Sequence, residues 1–270
     1  MTAFGAAEAR TLAIDAARAA GALLLELRRS PALGVRSKSS ATDLVSEADE
    51  KAEAAIVSAI RRKRPDDAIV AEEGSGAKGS SGVSWFVDPP DGTINYLYGI
   101  PHWSVSICCA DSSGALAGVV FDPLRDELFS AVQGGGAWLG EQRLRVSDKK
   151  DLASALVATG FGYGAAQRLT QGRILANVIG EVRDVRRFGS AALDLSFVAA
   201  GRFDAYFESV DKPWDWMAGA MLVREAGGHV TELSPSDPAF PRIIASGPGV
   251  HDALTRLLAD AVHKAQNSID

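Results

Sequence analysis

Apolar positions recur every three or four residues over residues 6–28, where Leu12, Ala16, Ala19, Leu23 and Leu27 share one face, and this spacing predicts a first helix. A polar loop runs from Ser30 through Lys38 to Thr42. Ser46, with Asp49 three positions on, then resembles a capping box that opens a second helix over roughly residues 47–63, with Ala52, Ala55, Ile56 and Ile60 as its buried stripe. The pattern changes to short strand-like runs at Ala68–Ala71, Ser84–Val87, Ser104–Cys109, Ala115–Phe121 and Glu127–Ala131, separated by glycines or Asp-Pro pairs. Gly74–Gly82, rich in Gly and Ser, reads as a flexible surface loop.

Beyond about residue 153 strands and helices alternate. Strands are expected at Ala155–Thr159, near 183–187, at Asp204–Glu208, at 228–232 and at 242–246. Helices are expected near 165–180, at Ser190–Ala200, from about Asp215 to Ala226, and at the end of the chain. Such alternation predicts helices packed on a sheet. There is no internal repeat and no long linker, so the chain reads as one domain over 1–270, with an α+β half (1–150) and an α/β half (151–270).

With 270 residues, 47% of them hydrophobic and 23% charged, the chain is long enough for a large core. No run approaches the ~18 consecutive apolar residues of a membrane span, and the N-terminus enters an Ala-rich amphipathic pattern directly. The expectation is a cytoplasmic protein. Cys108 and Cys109 are adjacent in an apolar run, where a mutual disulfide would be strained, so both read as buried, reduced thiols. A formal charge of −6 without a basic block offers no footprint for nucleic acid or anionic membrane. It also repels a phosphorylated substrate, so positive charge must be supplied locally.

The segment Trp85-Phe86-Val87-Asp88-Pro89-Pro90-Asp91-Gly92-Thr93 carries the strongest chemical signal. An apolar strand delivers Asp88 at its end, two prolines stiffen the turn by fixing φ, and Asp91 follows at once. Two carboxylates ~4 Å apart repel by roughly 4 kcal/mol at an effective dielectric near 20. Hard oxygen donors held against that repulsion suit Mg²⁺ or Mn²⁺. The alternative is a plain β-turn, which uses the same residue types. Taken singly, Asp49 reads equally as a helix-start carboxylate, Glu72 as a solvated strand end and Asp215 as a helix N-terminal residue.

Taken together these segments resemble the inositol monophosphatase family over nearly the whole chain. Asp88-Pro89-Pro90-Asp91-Gly92-Thr93 and Trp214-Asp215 are the most specific matches, supported by Gly189-Ser190-Ala191-Ala192-Leu193-Asp194 and by Glu72. The resemblance implies a layered αβαβα sandwich of the inositol monophosphatase and fructose-1,6-bisphosphatase type. It also implies a Mg²⁺-dependent, Li⁺-sensitive phosphomonoesterase with two or three metal ions per site, Mn²⁺ as a substitute, and a homodimeric assembly. Glu72, Asp88 and the Pro90 carbonyl would bind one ion, and Asp88, Asp91 and Asp215 the second. Glu72 and Thr93, the latter oriented by Asp49, would position the attacking water. The amides of Gly92 and Thr93 would receive phosphate oxygens. Asp91, the Ser190-Ala191 backbone and Glu208 would contact a small phosphorylated polyol. Lys38 either screens the phosphate or is a solvated lysine.

None of His102, His229, His251 and His263 falls in a ligand segment, and His102 reads as structural. One departure is Met217, where relatives carry a small residue; its bulk bears on the pocket and so on the substrate. The expected substrate is inositol 1-phosphate or a similar polyol monophosphate. Histidinol phosphate, fructose 1,6-bisphosphate and a nucleotide 3′-phosphate remain alternatives on the same fold. A regulatory binding protein with secondary phosphatase activity is the alternative of a different class, since some members of the family also bind transcription machinery.

Overall fold

The computed structural model describes residues 4–29, 36–37, 44–45 and 47–267. Lys38, Asp43, the Ser46 cap and the loop from Ser30 to Thr42, short strands apart, lie outside the described residues. The first helix, α1 (Ala6–Leu27), packs with α2 (Glu47–Lys63) on one face of a seven-stranded sheet. Its buried face is Ala9, Leu12, Ala13, Ala16, Ala17, Ala20 and Leu24, whereas Ala19 is exposed and Leu23 and Leu27 are only partly covered. That corrects the leucine-weighted face read from the sequence. The reason is distance: a side chain on Gly21 would stand 2.8 Å from the Phe121 ring, so the small residues must face the sheet. In α2, Ala55 is likewise only partly covered, while the acidic residues Asp49 and Glu53 are fully buried.

After the short β1 (Arg36–Ser37) and β2 (Leu44–Val45) come β3 (Ala68–Ala71), β4 (Ser84–Asp91), the single-turn α3 (Thr93–Tyr98), β5 (Ser104–Asp111), β6 (Gly114–Asp122), β7 (Glu127–Val132), β8 (Gly136–Leu139) and β9 (Gln142–Arg143). Strands β3 to β9 lie side by side in chain order; β3 is parallel to β4 and the rest are antiparallel. Sequence periodicity did not reveal α3, β8 or β9, which are too short to show a period.

The second half gives β10 (Leu156–Thr159), α4 (Ala165–Val178), β11 (Asp184–Arg186), α5 (Ala191–Ala199), β12 (Ala205–Glu208), α6 (Pro213–Glu225), β13 (His229–Glu232), β14 (Ile243–Ser246) and α7 (His251–Asn267). Its sheet runs β11-β10-β12-β14-β13, with β10 parallel to both neighbours and β14 antiparallel to β12 and β13. Helices α5 and α6 lie between the two sheets and share a core with Phe129, Val120, Tyr206 and Ala245. Helices α4 and α7 cover the outer face around Val157, Ile174 and Ile244. The layers therefore run αβαβα, the expected sandwich. No helix among the described residues is long and apolar enough to cross a membrane. Cys108 and Cys109 are buried and free, and burial pushes the Cys108 thiol up to about 12.

Candidate active site

In a regular strand, residues three apart point to opposite faces, so Asp88 and Asp91 could not face one cleft. The prolines prevent that regularity. Asp88 pairs with Ser106 and Asp91 with Ser104, so three steps on β4 match two on β5, and a bulge at Pro89-Pro90 absorbs one residue. Both carboxylates therefore emerge on the face that carries α5 and α6. The partners on β5 confirm the face: Ser106 Oγ donates to the Trp214 carbonyl at 3.1 Å, and Ser104 Oγ lies 3.5 Å from Ser190 Oγ. Strand β3 adds Glu72. Its N–H continues the parallel ladder to the Val87 carbonyl at 3.3 Å, which sets Glu72 beside Asp88 at the strand ends.

Two helix N-termini from the second half complete the ring. Lys212 and Pro213 start α6 and present Asp215 in its first turn. Ser190 caps α5, its hydroxyl accepting from the Leu193 N–H at 3.3 Å. The same hydroxyl donates to Asp91 Oδ2, and the Ala192 N–H reaches that oxygen at 2.8 Å. Asp91 thus sits at the positive end of α5. Strand β12 ends on Glu208, whose Oε2 accepts from the Tyr206 hydroxyl at 2.9 Å.

The cleft so formed has a volume of about 440 Å³ and brings together Glu72, Asp88, Pro90, Asp91, Gly92, Thr93, Ala191, Glu208 and Asp215. Asp49 and Ser190 are buried and are not among its lining residues. Met217 is not among the lining residues; it packs against the central core between the sheets, so its bulk does not shape the pocket. Thr93 Oγ1 donates to the Pro90 carbonyl at 3.2 Å. His102 packs against Phe188 and Phe197, and burial pushes its imidazole down to about 4, in keeping with a structural role.

Six carboxylates line the cleft, from Glu72, Asp88, Asp91, Glu208, Asp211 and Asp215, against two cations among the described lining residues, Arg187 and Lys212. Lys212 is already paired with Asp211 at 3.4 Å. The crowding shows in the proton affinities. Burial, then Glu72, Asp91 and Asp215, hold the Asp88 carboxyl well above the usual range. Asp215 is raised by burial and by Glu72, Asp91 and Glu208. Burial takes Asp91 to about 6 despite the opposing bonds from Ser190 and Ala192. Glu208 reaches about 7 through burial, partly offset by Tyr206 and Arg187.

Among the described residues no three His, Cys, Asp or Glu side chains are drawn into a ready-made metal cage. The carboxylates surround the cleft and repel one another across it. The donor set nonetheless fits a hard divalent cation: it is all oxygen, and Asp88 Oδ1 is buried with no hydrogen-bond partner.

Two buried acids near the site escaped the sequence reading of roles. Asp194 on α5 has both carboxyl oxygens buried without a hydrogen-bond partner, and its pKa is raised by burial and then by Glu208 and Asp91. Glu53 on α2 is wholly buried. The available signal for both was an acid standing where the helix period calls for an apolar residue.

The model of the inositol monophosphatase family matches residues 6–269. The chain is 40% identical over 258 residues to "Nus factor SuhB" of Escherichia coli (strain K12), which covers 94% of this chain and 97% of that protein. The crystal structure of extragenic suppressor protein suhB from Bartonella henselae superposes with a TM-score of 0.85 at 39% identity, over 92% of this chain and 97% of that one. The inositol monophosphatase from Anabaena (Nostoc) sp. PCC 7120 gives 0.79 at 37% identity, over 93% and 95% of the two chains.

Proposed function

The chain belongs to the inositol monophosphatase family, and from its cleft we propose that it is a Mg²⁺-dependent phosphomonoesterase acting on inositol 1-phosphate or a similar polyol monophosphate. The observation that carries this reading is Asp88: buried, with one oxygen lacking a hydrogen-bond partner, and facing Glu72, Asp91 and Asp215 across a cleft that also holds Glu208. Glu72, Asp88, Asp91, Asp215 and the Pro90 carbonyl would hold Mg²⁺. When bound, the metal supplies an activated water and neutralises charge on the phosphate.

The remaining work falls to the chain itself. Gly92 has a φ of +93°, which few other residues tolerate, and it leads into α3, so the amides of Gly92 and Thr93 are available to phosphate oxygens. Thr93 and Glu72 orient the attacking water, and Asp49, buried on α2, orients Thr93. Glu208 accepts hydrogen bonds from the alcohol's hydroxyl groups, and the Arg187 guanidinium on the same cleft offers donors. An acceptor-only group beside a donor-only group suits a polyol, whose hydroxyls need both.

A turnover comparison of inositol 1-phosphate, histidinol phosphate and fructose 1,6-bisphosphate, with Mg²⁺ and with excess chelator, tests the proposal. Inositol 1-phosphate should be preferred and chelator should abolish turnover. Full activity in chelator would remove the metal mechanism. The 40% identity to a protein named Nus factor supports a second reading, a regulatory binding protein with secondary phosphatase activity. That reading wins if the Asp91→Asn protein still supplies the cellular function.

A further inference from the structure

Helix α2 carries two wholly buried acids one turn apart, Asp49 and Glu53. Asp49 belongs to the reaction as read above; Glu53 does not. Each of its carboxyl oxygens takes one backbone N–H from the segment that follows β3: Oε2 accepts from Glu73 at 2.5 Å and Oε1 from Ser75 at 2.7 Å. Between those residues Gly74 has a φ of +95°, which turns successive N–H groups towards one side and forms an anion-binding nest. Glu53 fills that nest from inside the protein.

The residue just before the nest is Glu72. On its N-terminal side Glu72 is fixed by the ladder to Val87, and on its C-terminal side the chain turns at once around the Glu53 carboxyl. The Ile69–Ala77 bridge then closes the loop against β3. A buried acid is costly unless it is hydrogen-bonded, and these two bonds are its compensation. The same helix thereby backs the segment after Glu72 through Glu53, while its Asp49 acts electrostatically on Tyr96 of α3.

We propose that Glu53 is a positioning residue for Glu72, holding the end of β3 so that the Glu72 carboxylate stays aimed at Asp88 across the metal-binding cleft. This rests on the metal-dependent phosphatase reading. Groups that orient a ligand from behind are worth 10–100-fold in metal affinity.

The test is Mn²⁺ binding to the full-length protein without substrate, followed by the loss of the free-ion electron paramagnetic resonance signal, for wild type, Glu53→Gln and Gly74→Ala. Glu53→Gln keeps the shape but leaves one of the two N–H groups without an oxygen. Gly74→Ala strains the nest without touching α2, so it serves also where Glu53→Gln folds poorly. The half-saturating Mn²⁺ concentration should rise about tenfold or more in both variants. In turnover, the Mg²⁺ requirement should rise while KM for inositol 1-phosphate changes little. A lower melting temperature with unchanged Mn²⁺ affinity would reduce Glu53 to a structural anchor and overturn the proposal. Wild-type protein that binds Mn²⁺ but hydrolyses no phosphate monoester would overturn the enzyme reading alone, leaving the binding comparison valid.

Discussion

Gly160, just beyond the end of β10, packs its bare Cα against the carboxylate of Glu208: a methyl group there would stand 2.0 Å from Oε1 and 2.1 Å from the carboxyl carbon. The two strand ends lie side by side, since β10 and β12 are parallel neighbours with Thr159 opposite Phe207. Glu208 can hold its place against Tyr206 only because position 160 has no side chain.

Gly160→Ala should therefore push Glu208 out of register with the alcohol part of the substrate. Charge-assisted hydrogen bonds are worth ~1.5–3 kcal/mol each, so kcat/KM for inositol 1-phosphate should fall about tenfold or more. Glycerol 2-phosphate, which lacks the ring hydroxyls, should suffer much less. Equal losses on both substrates would assign Gly160 and Glu208 to the frame of the site.

Glu208 also makes a pH prediction for the metal-free protein. Burial raises its pKa from 4.5 to about 7, with Tyr206 and Arg187 acting in the opposite direction. A raised folded-state pKa means that the group's contribution to stability is complete below about pH 4.5 and is lost as pH rises through about 7. Glu208→Gln removes that loss. Its melting temperature relative to wild type should be higher at pH 8 than at pH 5, measured by calorimetry in chelator. A constant difference across that range would show that Glu208 does not titrate there.

Ser190 was expected to serve substrate through its backbone, yet its side chain is committed to Asp91 and to the cap of α5. Ser190→Ala should cost about 1 kcal/mol in stability from the lost cap. It should also raise the Mg²⁺ concentration needed for half-maximal turnover, because Asp91 loses the Ser190 hydroxyl and is left with backbone N–H donors from the start of α5. A lowered melting temperature with an unchanged Mg²⁺ requirement would confine Ser190 to capping.

The acids that β4 and α6 bring to the cleft were legible in the sequence because their signals are local. Asp88 to Thr93 combines a strand end, two residues with fixed φ and two acids, and Trp214-Asp215 opens a helix next to a proline. The bulge that turns Asp88 and Asp91 to one face was not legible as such, since it depends on the register against Ser104 and Ser106 on another strand. The face of α1 was misjudged for a related reason. Leucines suggest burial, but the close approach of Phe121 and Pro123 to Gly21 selects the alanine face. Glu53 was invisible as a site neighbour, and Asp194, though part of the Gly189–Asp194 motif, had no role, because an acid on a helix is ordinarily a solvated one; only the tertiary contacts reveal the nest and the carboxyl cluster they meet.

Thr93 and Asp49 give the last prediction. Thr93 is buried at the start of α3 and its hydroxyl donates to the Pro90 carbonyl at 3.2 Å. Asp49 is wholly buried on α2, close enough to α3 that its charge, after burial, helps push the Tyr96 phenol up to about 12. If, as proposed, Thr93 orients the attacking water and Asp49 orients Thr93, both act mainly in the transition state. Thr93→Ala should thus lower kcat far more than KM, and Asp49→Asn should do the same. Because residues that act as a unit are non-additive, the double variant should lose little more than either single one. Losses that multiply would show that the two act separately, with Asp49 serving the packing of α2 and Thr93 serving only the turn at Pro90.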